Sequence, residues 1–194
     1  MEYHKYVFNN KERKFVGKFD QMYKNETSDP WFASDLKNMP KKIHSVVLDG
    51  RNWSSILDYG CGKGVFTHTL KKDNNVVLGV DISQNAISKA IDIYGHKVDF
   101  IHISNKLWKQ KYNLIVCLEV LSYIELYKEQ LEEFSNMSEY IYISLYIPKN
   151  PIGYVKNKQD LLSAVNLYFN IETQLIYNEK SIFLLAKSKN FNKF

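Results

Sequence analysis

Two short clusters carry residue types suited to a nucleoside-like ligand. Asp58-Tyr59-Gly60-Cys61-Gly62-Lys63-Gly64 sets three glycines at alternate positions behind an acidic residue. Glycines there remove the Cβ atoms that would keep a backbone away from a ligand. About twenty residues on stands Asp81, at the spacing of a carboxylate that accepts hydrogen bonds from ribose hydroxyls. A dinucleotide fingerprint, G-x-G-x-x-G, would place its third glycine at position 65, where this chain has Val65. The spacing therefore argues against a nicotinamide dehydrogenase. A third candidate is Glu119, within Cys117-Leu118-Glu119-Val120-Leu121-Ser122-Tyr123. Its carboxylate suits accepting or orienting a proton on an amine or hydroxyl, and equally suits holding the backbone at a strand end.

Other chemistries lack their residues. His4, His44, His68, His96 and His102 show no metal-ligand spacing with Cys61 or Cys117, so no metal is expected. Cys117 lies inside an apolar run rather than in a Pro-Cys loop, which argues against a cysteine nucleophile.

A glycine loop of this kind works only between a strand that delivers it and a helix that leaves it. Ser54 to Tyr59 reads as that strand, and a helix is expected through Val65, Phe66 and Leu70. Val76 to Asp81 is a second strand, and Ser83 caps a helix with Ala86, Ile87 and Ala90 on one face. Strands follow at 98–103 and at 112–118, the latter as continuously apolar as a central parallel strand. A polar helix around Leu126 to Phe134 leads to a fifth strand at 140–145. Gln159 to Phe169 reads as a helix, and 171–177 and 181–186 as strands joined at Asn178-Glu179-Lys180. The alternation predicts an α/β fold: a doubly wound, Rossmann-like, seven-stranded, mostly parallel sheet closed by an antiparallel hairpin. Residues 1–50, polar and broken at Asp29-Pro30 and Pro40, are expected to form a helical cap over the strand ends, and 51–194 the main domain.

Composition is that of an ordinary globular chain, with 45% hydrophobic and 24% charged residues among 194. The net charge of +5 comes from scattered lysines rather than a basic face, so no nucleic-acid partner is expected. Two cysteines, no apolar leader at Met1-Glu2-Tyr3-His4-Lys5 and no long apolar run predict a cytoplasmic protein without membrane segments.

The loop and its acidic partner resemble the first motifs of class I S-adenosylmethionine-dependent methyltransferases, D/E-x-G-x-G-x-G followed by an acidic residue after the second strand. A narrower resemblance, to nodulation protein S-like small-molecule N-methyltransferases, rests on four segments: Phe19-Asp20-Gln21-Met22-Tyr23, Asp29-Pro30-Trp31, Gly64-Val65-Phe66-Thr67 and Glu119-Val120-Leu121-Ser122-Tyr123. It implies S-adenosyl-L-methionine as cofactor, an amine (an amino sugar in that family) as methyl acceptor, and a small-molecule substrate as partner. It implies cofactor contacts from Trp31, Asp58, Gly60, Gly62, Gly64, Asp81, Ile82, Ser104, Asn105 and Leu118, and catalytic parts for Glu119 and Tyr23. Ring faces of Trp31 and Tyr23 would favour the sulfonium by roughly 0.5–2 kcal/mol. The chain departs from the pattern at Ser104-Asn105, where an acidic residue commonly meets the adenine amino group. It departs again at Asn136-Met137-Ser138-Glu139, where a proline-glycine turn is usual. An O-methyltransferase acting on a small hydroxyl compound shares all these features, and a non-catalytic cofactor-binding partner protein shares the loop.

Overall fold

The computed structural model describes residues 4–26, 29–32 and 34–192. Met1, Glu2 and Tyr3, read above for a leader, lie outside them. Seven strands form one sheet: β1 (Ser55–Tyr59), β2 (Val76–Asp81), β3 (Asp99–His102), β4 (Tyr112–Leu118), β5 (Ser138–Tyr146), β6 (Phe169–Tyr177) and β7 (Ser181–Ser188), in the order β3-β2-β1-β4-β5-β7-β6. Only the pairings of β7 with β5 and β6 are antiparallel among those whose register is resolved. This is the expected α/β architecture. The chain divides into two compact units, Met1–Trp108 and Lys109–Phe194.

In the first unit, Asp58 on β1 sits beside Gly79 on β2, and Asp81 beside His102 on β3. The segment before β1 holds short helices, Phe19–Lys24 among them, and α1 (Met39–Asp49). It also holds a two-residue ladder, Phe8–Asn9 with Lys14–Phe15, that the sequence pattern did not announce. Pro40 does not break a helix. It lies in the first turn of α1, where its fixed φ and missing N–H cost nothing, behind an Asn38 cap. The α-helix expected after the glycine loop is only the 3-10 turn Thr67–Leu70. Three competing bonds stop it. Thr67 gives its hydroxyl to Asp58, and Asn75 Nδ2 donates to the Leu70 carbonyl at 2.9 Å while Asn75 Oδ1 accepts from Lys72 N–H. The helix α2 (Gln84–Tyr94) begins at Ser83 as expected, whose hydroxyl accepts from Ala86 N–H, and it buries Ala86, Ile87 and Ala90.

In the second unit, Leu114 to Cys117 on β4 are fully buried, as a central parallel strand requires. The helix α3 (Tyr127–Met137) buries Tyr127, Leu131 and Phe134 at helical spacing. It runs straight into β5 with no turn at Asn136 to Glu139, because Ser138 Oγ donates to the Phe134 carbonyl and closes the last helical turn. The helix α4 (Lys158–Tyr168) starts on an Asn157 cap. Asn178 and Glu179 take φ of 48° and 56°, the left-handed pair that turns a hairpin with the right twist. Among the described residues no helix is long and apolar enough to cross a membrane.

Leu131 is fully buried in this packing. Leu131→Ala is expected to cost about 2–5 kcal/mol in denaturant unfolding with an unchanged slope.

Candidate functional site

The glycine loop leaves β1 through three left-handed residues, Gly60, Gly62 and Gly64, with φ of 81°, 54° and 74°. Gly60 N–H and Cys61 N–H both donate to the Val80 carbonyl, at 2.8 and 3.0 Å, so the loop is hung from β2. Side chains at two of these positions are excluded by contact as well as by φ. A Cβ on Gly62 would stand 2.7 Å from the Tyr23 hydroxyl, and one on Gly64 would stand 2.6 Å from the Phe100 ring.

Asp81 ends β2 in a buried setting. Its Oδ2 accepts from Gly62 N–H at 2.9 Å and its Oδ1 from Ser83 N–H at 2.8 Å. Burial pushes its pKa up, and these backbone donors pull the other way. Asp58 is 3% exposed, and its Oδ2 accepts from the Thr67 hydroxyl at 2.7 Å. Burial lifts this carboxyl from its ordinary 3.8 to about 7, with the Thr67 bond opposing and the nearby Asp81 adding to the rise. The Asp58 side chain therefore braces the loop from inside the core.

Ile82 is 60% exposed although strongly apolar, and it helps line a cavity of about 310 Å³ with Gly17, Lys18, Phe19, Asp20 and Gln21. Its carbonyl is fixed by His102. Ser104 N–H points at Nδ1 of that ring (3.3 Å), which leaves the proton on Nε2 to donate to the Ile82 carbonyl at 2.9 Å. Ser104 Oγ also lies 2.8 Å from Nδ1, and Asn105 Oδ1 accepts from Leu107 N–H. Both side chains after β3 are thus engaged locally.

The segment before α1 supplies further contacts. Asp20 accepts from Ser83 Oγ and Asn85 N–H, both at 2.9 Å, and from Asn85 Nδ2 at 2.8 Å, so it clamps the Phe19–Lys24 helix onto the start of α2. These donors hold its pKa below the usual carboxylate range. Tyr23 is buried, with its hydroxyl at Gly62. Trp31 has a φ of 62° and its ring lies 5.6 Å from that of His4. The structure so brings Tyr23, the glycines, Asp58 and Asp81 together within one unit. Asp20, Thr67 and His102 also belong to this arrangement and were given no part by the sequence. Asp20 stood in a quoted segment, yet its partners lie more than sixty positions away and no spacing reveals them.

In the second unit, Leu118 ends β4 opposite Ser144, and Glu119 follows with a φ of 61°. That left-handed conformation is rare for a residue with a long side chain and accompanies functional sites. The Glu119 carboxylate folds back onto β5, where Oε1 accepts from Ser144 Oγ at 2.9 Å and Oε2 from Tyr146 N–H at 2.6 Å. Glu119 is exposed as a residue, and desolvation of its carboxyl group where it meets the strand ends raises its pKa against the pull of those two bonds.

Residues 57–140 match the family model described as a methyltransferase domain. Over 108 residues the chain is 31% identical to nodulation protein S of Azorhizobium caulinodans, with 51% of each chain covered, so the match spans about half the length of that relative. A 76-residue stretch is 32% identical to the phosphate import ATP-binding protein PstB of Borreliella burgdorferi, covering 39% of this chain and 29% of that one. The phosphate-binding pattern G-x-x-x-x-G-K-[ST] is nevertheless absent at Gly62-Lys63, where Leu57 and Gly64 stand in its first and last places. The structure of the N-methyltransferase NodS from Bradyrhizobium japonicum, in complex with S-adenosyl-L-homocysteine, superposes with a TM-score of 0.69. The pair shares 16% identity over 88% of this chain and 98% of that one, a likeness of fold.

The buried Asp58 gives a pH signature. A carboxyl raised in the folded state favours folding while protonated, and that contribution is lost as pH climbs from about 4 through about 7. Thermal unfolding is expected to fall across this window. Asp58→Asn, which keeps an acceptor for Thr67, is expected to flatten the fall.

Proposed function

We propose that this chain, whose sequence and strand order resemble those of class I methyltransferases, transfers a methyl group from S-adenosyl-L-methionine to an amine of a small molecule. The observation that carries the reading is the carboxylate of Asp81, which receives the glycine loop at Gly62 N–H and the α2 start at Ser83 N–H. The Ile82 N–H also reaches this carboxylate, and of its roughly four lone-pair sites the three backbone donors leave room for a ribose hydroxyl. The bare loop at Gly60, Gly62 and Gly64 fits the amino-acid part of the cofactor, and the exposed Ile82 side chain fits the flat base. Ser104 Oγ is engaged by His102 and Asn105 Oδ1 by Leu107 N–H, so the proposed contribution of these two residues to the base comes from the backbone and the Asn105 amide nitrogen. Leu118, Tyr23 and Trp31 complete the proposed cofactor contacts, the two rings favouring a cation by roughly 0.5–2 kcal/mol.

Bound there, the cofactor supplies an electrophilic methyl group on a sulfonium. The protein's part is to hold donor and acceptor in line, which accounts for much of the attainable rate in such displacements. An ammonium has no lone pair to attack with, so an amine acceptor must lose a proton. We assign that proton to Glu119, whose raised pKa suits a base and whose left-handed backbone is held by Ser144 and Tyr146. The amine assignment is supported by the similarity to nodulation protein S and to the N-methyltransferase NodS. The low cysteine content, Cys61 and Cys117 in 194 residues, fits a cytoplasmic setting.

Thermal unfolding with S-adenosyl-L-homocysteine at about a hundred times its dissociation constant is expected to rise by roughly 5–11 °C, and not with NADH. Labelled methyl groups are expected to pass to amine acceptors. Transfer only to hydroxyl compounds would replace the amine reading, and binding without turnover would make the chain a cofactor-binding partner. Glu119→Gln can still meet both neighbours, its amide oxygen taking Tyr146 N–H and its nitrogen donating to Ser144. It is expected to lower kcat by about 10²–10⁴-fold with cofactor binding retained. A kcat within threefold of wild type would leave Glu119 as a brace for the strand ends.

A further inference from the structure

Glu26 stands where three parts of the unit Met1–Trp108 meet. Its Oε1 accepts from Lys89 Nζ of α2 at 2.9 Å and from Lys63 Nζ at 3.2 Å. Lys63 is the residue between Gly62 and Gly64. Lys89 Nζ donates as well to the Tyr23 carbonyl at 2.5 Å, and Asp29 Oδ1 lies 3.7 Å from Lys63 Nζ. The side chains of Glu26 and Lys63 are each 16% exposed. Two cations and two anions therefore balance here, with the Glu26–Lys63 pair the more enclosed and Lys89 and Asp29 at its wetter edge. Pairs so enclosed are screened much less than surface pairs, and removing one partner strands the other.

The loop needs such an anchor. Three left-handed glycines confer more backbone freedom than any other residue type would. Backbone bonds fix its start to Val80, and Gly64 N–H bonds only back to Cys61 within the loop. Lys63 reaches out of its second half to a fixed partner on another segment.

We propose that Glu26 is a positioning residue for the glycine loop. Through Lys63 it holds the loop in the conformation that presents Gly62 N–H to Asp81. Through Lys89 it ties that same loop to α2 and to the Phe19–Lys24 helix that carries Asp20 and Tyr23. The expected effect on cofactor affinity rests on the function proposed above; the effect on the loop does not.

The test compares wild type, Glu26→Gln, Lys63→Met and the double variant by two readouts. The first is hydrogen exchange at the Gly62 and Gly64 amides in ligand-free protein, and the second is S-adenosyl-L-homocysteine affinity by calorimetry. Each single substitution is expected to speed Gly62 exchange and to weaken binding by about fivefold or more, and the double variant to be no worse than the worse single one, because both remove one shared interaction. Lys89→Met keeps the bond to Lys63 and is expected to act more weakly. A lowered melting temperature with exchange and affinity within twofold of wild type would overturn the proposal. Should Glu26→Gln fail to fold, Lys63→Met carries the same comparison. If wild type binds no S-adenosyl-L-homocysteine, the methyltransferase reading fails, and loop exchange alone still decides the part of Glu26.

Discussion

A carboxylate buried at the end of a strand needs donors for its oxygens, and Asp81 finds them in the two segments that flank it. Gly62 N–H comes from the loop after β1, and Ser83 N–H from the first residue of the turn into α2. One side chain thereby fixes two backbone segments against each other at the carboxyl end of β2. Hydrogen bonds to a charged acceptor in an enclosed setting are stronger than those between neutral groups. Both segments are of the kind that otherwise move freely, a glycine loop and a helix start. The preorganised arrangement leaves acceptor capacity for a ligand and removes much of the ordering that binding would otherwise require.

The surrounding polar groups extend this constraint rather than duplicate it. Ser83 uses its N–H on Asp81 and its hydroxyl both to cap α2 and to donate to Asp20. Asp20 in turn brings the Phe19–Lys24 helix to the site, and with it the Tyr23 hydroxyl that faces Gly62. Below the loop, Asp58 and Thr67 bond within the core, at the cost of keeping a carboxyl where its charged form is disfavoured. The second unit holds a separate constraint of similar design. Glu119 spans the ends of β4 and β5 by accepting from Ser144 and Tyr146, and so sustains a backbone conformation that a glutamate rarely adopts.

Much of the fold was legible because its signals are local. Strand periodicity marked all seven strands in order, Ser83 marked its helix start, and Asn178-Glu179-Lys180 marked the hairpin. The misreadings have local causes of another sort. The short turn after the loop depends on Asn75 capturing the Leu70 carbonyl, and the helix start at Pro40, where a break was expected, on the Asn38 side-chain cap. Side chains that bond to backbone compete with helix propensity in ways a periodic pattern does not register. At the site, the glycines and Asp81 stood out by spacing alone. Asp20, Glu26 and Lys89 did not, since their partners are brought near only by the fold.

The central claim is that Asp81 holds the loop and receives the cofactor with one carboxylate. Calorimetric titration of S-adenosyl-L-homocysteine into wild type and Asp81→Asn, both first shown to be folded, tests it most directly. Asparagine keeps an acceptor for one backbone N–H and turns a donor toward the other. Binding to wild type, weakened by roughly tenfold to a hundredfold in the variant, is the predicted result. Equal affinity in the two proteins, or no binding to wild type, would contradict the account.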